Sequence, residues 1–391
     1  MRVALFTDTY PPEINGVATS SYNLAKTFRE HGDEVLVVTT NPFTKTLSYE
    51  NNVLRMPGFE LKALYGYRVS SFFNSKAAKI ITAFRPDIVH CQTDVGVGMF
   101  GSIMASRLGI GKIYTFHTMI EDYAYYVTRG HFDRVARHVV RFFYRGKSHS
   151  YDAFIAPSGK IKDYLRSIGI DGPIHIIPTG IDVKRFSIEN KDTSAVDAIK
   201  KKWGIAPDDY VILSLGRIAK EKSIDMILNG YKKYLETNPK RNTKFVITGL
   251  GPAEDDLKAL AKQLGIEDHV IFTGKCAPDE TQNFYHIADC FASASITETQ
   301  GLTFMEAMAS SLVVLARFDD NLSGTIRDGE NGFFFLSEDD LVQKLKHVVD
   351  LSDEERKAIT KAGVQAAETY SMDTFYKQAH EVYSNVCRQR W

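Results

Sequence analysis

Two glutamates, Glu298 and Glu306, stand in a pattern that suits the binding of hydroxyl groups together with phosphates. Glu298 follows the small and apolar run 289–295, which is typical of the end of a buried strand. Glu306 lies inside the helix that Gly301 and Thr303 are expected to open, and a solvated helix face would not explain Glu298. The free backbone N–H groups and the dipole at the start of that helix favour a diphosphate. The spacing therefore predicts a nucleotide-sugar site.

Basic and small residues follow other expected strands. Arg217 and Lys222 share a loop and can converge on one diphosphate, although a solvated basic loop is the alternative. Gly16 follows the first strand, where it either lets the backbone approach a phosphate or sugar or serves an ordinary turn. That loop lacks the G-x-G-x-x-G pattern, so a dinucleotide site is unsupported. His117, after another strand, is either structural or a hydrogen-bond partner for a donor hydroxyl.

Length and composition indicate a soluble protein of two domains. The chain has 391 residues, of which 44% are hydrophobic and 25% charged. No apolar run approaches the roughly 18 residues that span a bilayer. The start, residues 1–8, reaches an acidic residue too early for a secretory signal, and the four cysteines lack metal-ligand spacing. We therefore expect reduced thiols and a cytoplasmic protein.

Buried-strand runs alternate with helical stretches, which predicts the α/β class with two doubly wound parallel sheets. We expect a first domain over 1–172, a second over 173–371, and a last helix over 372–391 that crosses back to the first. Strands are predicted near 3–7, 34–39, 88–91, 113–116, 153–156, 174–177, 211–215, 244–248, 270–272, 289–292, 313–316 and 332–336.

The zero net charge hides an asymmetry. Residues 1–190 carry 23 Lys and Arg against 17 Asp and Glu, whereas the remainder carries 25 against 31. The basic excess lies mainly in 129–147, and the stretch 60–73 is rich in aromatic residues. A basic amphipathic helix can sit on an anionic membrane, the alternative being a core helix with a solvated basic face; nucleic acid is not expected as a partner. The membrane-binding candidates are Arg134, Arg137, Arg141, Phe142, Phe143 and Arg145.

The chain resembles the retaining glycosyltransferases of family four, from Thr7 to its C-terminus. The most specific markers are Gly216-Arg217…Glu221-Lys222, Gly249-Leu-Gly-Pro252 and Glu298…Glu306. The segments 117–126, 295–303 and 319–322 look most like those of bacterial diacylglycerol glucosyltransferases. The resemblance implies the GT-B fold, in which two Rossmann-like domains face a central cleft.

The resemblance also implies roles for individual residues. His117 and Glu298 would contact the sugar, while Arg217 and Lys222 would neutralise the leaving diphosphate. Such enzymes need no cofactor or metal, and the chain has no Asp-x-Asp motif. The implied catalytic set is His117, Arg217, Lys222 and Glu298, and the implied donor-binding set is Gly16, Gly274, Lys275, Gly301, Leu302, Thr303 and Glu306.

The implied reaction is transfer of glucose from UDP-glucose to diacylglycerol, with retention, on the inner face of the plasma membrane. The chain departs from the family pattern at Asn15-Gly16, Ser223, Ser311 and Val313, and none of these changes removes a charged group. Three alternatives stay open: a soluble-sugar or phosphatidylinositol-type acceptor, a nucleotide-sugar epimerase, and an inactive lectin-like protein.

Overall fold

The computed structural model describes residues 1–13, 15–61, 67–117, 146–296, 298 and 300–390. The chain divides into two compact units. The first comprises residues 1–180 together with 372–391, and the second comprises residues 181–371.

The first unit is built on an eight-stranded sheet. Its strands pair in parallel except β3 and β4, which are antiparallel, and the order is β10-β9-β8-β7-β1-β2-β4-β3, with β5 and β6 forming a separate hairpin. The strands are β1 (Arg2–Phe6), β2 (Glu34–Thr40), β3 (Ser48–Glu50), β4 (Val53–Met56), β5 (Gly58–Leu61), β6 (Tyr67–Ser70), β7 (Ile88–Cys91), β8 (Gly111–Thr115), β9 (Ala153–Ala156) and β10 (Ile174–Ile176).

Helices cover both faces of this sheet. Successive residues of β1 point to opposite sides, so Leu5 joins one apolar core and Phe6 the other. Asn15 caps the first helix, because its side chain accepts a hydrogen bond of 2.9 Å from the backbone N–H of Ala18. The helices are α1 (Gly16–Glu30), α2 (Ser75–Phe84), α3 (Val97–Leu108) and α4 (Gly159–Ser167).

The second unit has a six-stranded parallel sheet in the order β13-β12-β11-β14-β15-β16. The strand order reverses where β11 lies between β12 and β14, and the carboxyl edge at such a reversal is where α/β sheets bind ligands. The strands are β11 (Tyr210–Leu215), β12 (Thr243–Thr248), β13 (Val270–Gly274), β14 (Cys290–Ser293), β15 (Val313–Arg317) and β16 (Phe333–Phe335).

Apolar cores also lie on both faces of the second sheet. Ile212 and Phe245 contribute to one core, and Leu213 and Val246 to the other. The helices are α5 (Val183–Phe186), α6 (Thr193–Lys202), α7 (Ile224–Leu235), α8 (Glu254–Gln263), α9 (Thr281–His286), α10 (Leu302–Ala309), α11 (Glu338–Val349) and α12 (Asp353–Glu368).

The last helix, α13 (Met372–Gln389), packs on the first sheet. Its buried residues Phe375, Val382 and Tyr383 belong to the same apolar core as Leu5. The ring of Tyr383 stacks on Phe28 of α1 with 5.0 Å between the centroids. This is the helix for which the sequence predicts a return to the first domain.

The predicted α/β class is confirmed, and each predicted strand overlaps an observed one. The sequence missed β3 to β6, which are short. Asn51 and Asn52 have φ of 51° and 58° and form the two-residue turn between β3 and β4, so this pair was the available hairpin signal. The predicted boundary after residue 172 lies too early in the chain, because β10 pairs with β9 of the first unit and that unit runs to Gly180.

Among the described residues, no helix combines the length and the apolar character that crossing a membrane requires.

Replacing Gly180 with Ala is expected to destabilise the first unit. A Cβ at this position would lie 2.7 Å from Cβ of Phe375, and forcing packed groups apart costs about 1–3 kcal/mol. Calorimetry should therefore show a lower unfolding temperature. Gly159→Ala is the matched control, because a Cβ there meets no atom within 4 Å. Equal effects of the two substitutions would contradict this packing.

Candidate active site

The two glutamates occupy the places that the sequence predicts. Glu298 lies in the loop after β14, and Glu306 lies within α10. Gly301 is the residue before α10 and adopts a left-handed conformation with φ of 78°. A Cβ on Gly301 would lie 2.7 Å from Leu322 and 3.1 Å from the Phe304 ring, so both its conformation and its surroundings favour glycine.

Lys222 forms an ion pair with Glu298. Its Nζ lies 2.6 Å from Oε1 of Glu298, and the two side chains are 30% and 16% exposed. Lys222 ends the short 3-10 helix Lys220–Lys222 after β11, so the pair joins the loops that follow the two neighbouring strands β11 and β14. A cation and a carboxylate are thereby placed side by side at the carboxyl edge of the sheet.

Arg217 lies in the same loop as Lys222 but has a different partner. Its guanidinium pairs with Glu221, and its side chain is 47% exposed. The two predicted cations are thus near each other in the chain, and each is held by its own carboxylate.

Glycines bring the loops after β11 and β12 together. Gly216 and Gly249 have φ of 143° and 145°. A Cβ on Gly249 would lie 1.8 Å from the carbonyl oxygen of Gly216, and one on Gly251 would lie 1.9 Å from that of Ile218. Gly249 and Gly251 therefore let the backbone of the 249–252 motif contact the backbone of the Arg217 loop closely.

Glu306 is held in a different environment from Glu298. The hydroxyl of Tyr285 donates a hydrogen bond of 2.7 Å to its Oε2. Burial raises the pKa of Glu306 to about 7, against the opposing effects of the Tyr285 hydrogen bond and the charge of Arg185. The guanidinium of Arg185 is itself held by the side chain of Gln282 at 2.6–2.8 Å.

The other predicted donor-binding residues of the second unit lie at the same carboxyl edge. Gly274 ends β13 with φ of 73°, and its carbonyl accepts a hydrogen bond of 2.9 Å from Gly249. The next residue, Lys275, is exposed. Leu302 and Thr303 are the first residues of α10, where backbone N–H groups have no acceptor within the helix.

Residues that the sequence reasoning missed support these groups. The side-chain amide of Asn321 donates to the carbonyl of Glu298, and Leu322 packs on Gly301, so the string 319–322 holds the Glu298 loop. In the sequence alone, the string 319–322 is only a point of resemblance to bacterial diacylglycerol glucosyltransferases. Tyr285 and Arg185 carried no signal, because each lies in a short helix whose sequence gives no hint of the distant residue Glu306.

The predicted residues of the first unit are Gly16 and His117. Gly16 begins α1, and a Cβ there would meet no atom within 4 Å, so packing does not require glycine at this position. His117 is half-buried just beyond β8, and its Nε2 is hydrogen-bonded to Oε1 of Gln92. Burial lowers the pKa of His117 to about 4 despite the charge of Asp94, so the ring is neutral near pH 7.

Two family descriptions match the chain. "Glycosyltransferase Family 4" covers residues 14–185, and "Glycosyl transferases group 1" covers residues 195–365. A protein of Streptococcus pneumoniae named alpha-monoglucosyldiacylglycerol synthase is 34% identical over 98% of this chain and 85% of its own length. A protein of the same name from Acholeplasma laidlawii is 32% identical over 99% of this chain and 97% of its own length. The chain belongs to the family-four glycosyltransferases.

The fold agrees with this membership. The crystal structure of Anabaena HepE in complex with UDP and glucose matches with a TM-score of 0.73 and 17% identity, over 98% of this chain and 100% of HepE. The two Rossmann-like units of this family-four glycosyltransferase therefore have the predicted GT-B fold.

Two sets of expectations have no structural test. The membrane-binding candidates Arg134, Arg137, Arg141, Phe142, Phe143 and Arg145 lie outside the described residues. Within the described ranges, no three His, Cys, Asp or Glu side chains are grouped so that they could hold a metal ion.

The raised pKa of Glu306 predicts how stability depends on pH in this glycosyltransferase. Because folding favours the protonated carboxyl, this stabilisation is full below its ordinary pKa of 4.5 and is lost as pH rises through about 7. Glu306→Gln mimics the protonated form. Relative to wild type, it should gain roughly 1–3 kcal/mol in unfolding free energy between about pH 5 and about pH 8.

Glu355→Gln is the control for this measurement. The hydrogen bonds of Glu355 with Ser352 lower the pKa of that carboxyl, so its charge does not change over the same pH range. Its difference from wild type should be independent of pH, whereas a flat profile for Glu306→Gln would contradict the raised pKa.

Proposed function

We propose that the protein transfers glucose from UDP-glucose to diacylglycerol, retains the anomeric configuration, requires no metal and acts at a cytoplasmic membrane surface. The observation that carries the donor half is the ion pair of Lys222 and Glu298 beside the start of α10. The acceptor half is supported by the two relatives named alpha-monoglucosyldiacylglycerol synthase.

The arrangement suits each part of the donor. Glu306 would accept hydrogen bonds from the ribose hydroxyls, and the loop at Gly274 and Lys275 would face the base. The diphosphate would take the N–H groups at Leu302 and Thr303, since a helix start favours anions. Glu298 would hold the hydroxyls of the glucose. The HepE neighbour, which binds UDP and glucose, supports this choice of donor.

Transfer requires stabilisation of the charge that develops on the leaving diphosphate. Lys222 and Arg217 would supply it, and fixed cations in a site of this kind act without a metal. Binding of the diphosphate would draw Lys222 from Glu298 and leave the carboxylate to the sugar. In a retaining reaction without a protein nucleophile, the leaving phosphate oxygen would take the proton of the attacking hydroxyl on the same face.

The acceptor would be reached from a membrane surface. In the first unit, the large apolar side chains of Phe43, Phe59 and Phe72 are 74%, 66% and 52% exposed. The basic segment 129–147 adds positive charge in the same half of the sequence. Exposed aromatic side chains and basic residues together favour an anionic bilayer, and thus peripheral binding.

The direct test is release of UDP from UDP-glucose, with and without diacylglycerol in anionic vesicles. Release only with the lipid, together with an α-glucosyl-lipid product, is expected. Release without lipid would favour a soluble acceptor or hydrolysis, conversion of the sugar without UDP release would favour an epimerase, and no reaction would contradict the donor.

Lys222→Ala is expected to lower the turnover number by about 10²-fold or more, because a charge that stabilises the transition state is removed. Lys220→Ala is the matched control, since Lys220 lies in the same short helix and is exposed. Both variants should be assayed for UDP release at saturating donor. Turnover of Lys222→Ala equal to that of Lys220→Ala would contradict the role of Lys222.

Neutralising Arg137, Arg141 and Arg145 together should weaken sedimentation with anionic vesicles and spare binding of UDP. Three charges near a membrane surface contribute on the order of 1 kcal/mol each. The control removes the same charge from the second unit, at Lys200, Lys201 and Lys202 of α6. Equal losses in the two triple variants would show non-specific attraction and contradict the membrane segment.

A further inference from the structure

A chain of buried polar groups in the first unit ends at His117. It begins on the last helix, where the hydroxyl of Tyr383 is hydrogen-bonded to Nδ1 of His90. The other ring nitrogen of His90 lies 2.6 Å from the hydroxyl of Thr115 on β8. Both His90 and Tyr383 are fully buried or nearly so, at 1% and 0% exposure. The His90 ring is therefore fixed in place from two sides.

His90 in turn orients the side chain of Gln92, two residues along the chain. The amide Nε2 of Gln92 lies 3.1–3.2 Å from the ring nitrogens of His90. The amide oxygen is then directed the other way, to Nε2 of His117. The two ring nitrogens of His90 already have the hydroxyls of Tyr383 and Thr115 as partners, so an amide nitrogen nearly equidistant from both lies against the face of the ring. An aromatic face favours an N–H group over a carbonyl oxygen, which leaves the amide oxygen of Gln92 to His117.

This orientation determines which nitrogen of His117 carries the proton. The oxygen of Gln92 can only accept a hydrogen bond, so the proton must be on Nε2 of His117. Nδ1 then presents a lone pair, and among the described residues it has no hydrogen-bond partner. Burial, which lowers the pKa of His117 to about 4, keeps that lone pair available near neutral pH.

Nearby charges do not oppose this arrangement. The carboxylate of Asp94, the acid that acts on His117, accepts hydrogen bonds from Tyr114 and from the ammonium of Lys147. Its negative charge is therefore largely compensated. Burial likewise lowers the pKa of His90 to about 3, so this neighbouring ring is also neutral.

We propose that Gln92 is a positioning residue: held by His90, and through it by Tyr383, it keeps His117 in the Nε2–H tautomer so that Nδ1 accepts a hydrogen bond from a hydroxyl of the bound substrates. The role in transfer rests on the proposed function, whereas the tautomer does not. Removing the residue that orients a metal-binding histidine lowers activity by about 10–100-fold, and we expect a loss of that order here.

The tautomer is measured by long-range ¹H–¹⁵N correlation spectra of the full chain labelled on histidine, without substrate. The chain has 11 histidines, and the His117→Asn spectrum assigns the signals of His117 by their loss. Wild type should show protonated Nε2. Because Nε2–H is also the favoured tautomer of a free neutral imidazole, Gln92→Leu should lower its population without abolishing it. Tyr383→Phe, which keeps the ring on Phe28, should lower it less. Protonated Nδ1 in wild type, or tautomer populations in Gln92→Leu equal to those of wild type, would overturn the proposal.

Gln92→Glu separates positioning from packing in the transfer assay. A carboxylate at position 92 still accepts from Nε2–H but favours the imidazolium, so the acidic limb of the pH–rate profile should move to higher pH. At alkaline pH its turnover should return to within a few fold of wild type, while Gln92→Leu stays roughly tenfold or more below wild type at every pH. The KM for UDP-glucose should change less than the turnover number.

The two proposals fail in distinguishable ways. If wild type shows the expected tautomer but does not transfer glucose to diacylglycerol, the proposed reaction is wrong and the positioning by Gln92 stands. If wild type transfers glucose and both Gln92 variants follow its pH profile and turnover, the positioning role is wrong and the reaction stands. Unfolding temperatures within a few degrees of wild type exclude loss of fold as the cause.

Discussion

The candidate site depends on one contact between oppositely charged groups, Lys222 with Glu298. The loops that follow neighbouring parallel strands lie at the same edge of a sheet. β11 and β14 are such neighbours, although 74 residues lie between Leu215, the last residue of β11, and Cys290, the first residue of β14. The ion pair ties these loops together. Both side chains are partly buried, and burying either charge without its partner would cost free energy.

The two glutamates that first indicate the site are adapted to different tasks by their surroundings. Glu298 faces an ammonium, whereas Glu306 has a neutral phenol as its hydrogen-bond partner and a guanidinium only as a more distant charge. One carboxylate therefore has a cationic neighbour, and the other has a neutral donor. Residues of one chemical type, eight positions apart, thus acquire separate properties through burial and partners.

The sequence predicts the strands well, together with the places of Glu298 in a loop and of Glu306 in a helix, because these depend on local pattern. Apolar runs indicate the buried parallel strands, and Gly301 indicates where α10 begins. The strands β3 to β6 have only three or four residues each, which is too short for a clear periodic signal. Gln92, Tyr285 and Arg185 escape prediction for another reason: their partners are distant in sequence, and only the fold determines that they meet.

The return of α13 to the first sheet affects the order in which the chain can fold during synthesis. The first unit shares an apolar core with Phe375, Val382 and Tyr383, which leave the ribosome after all of residues 181–371. Domains usually fold in the order of their synthesis. Here the second unit is continuous in sequence and can form its core first. The first unit can complete the core on one face of its sheet only after α13 has been synthesised.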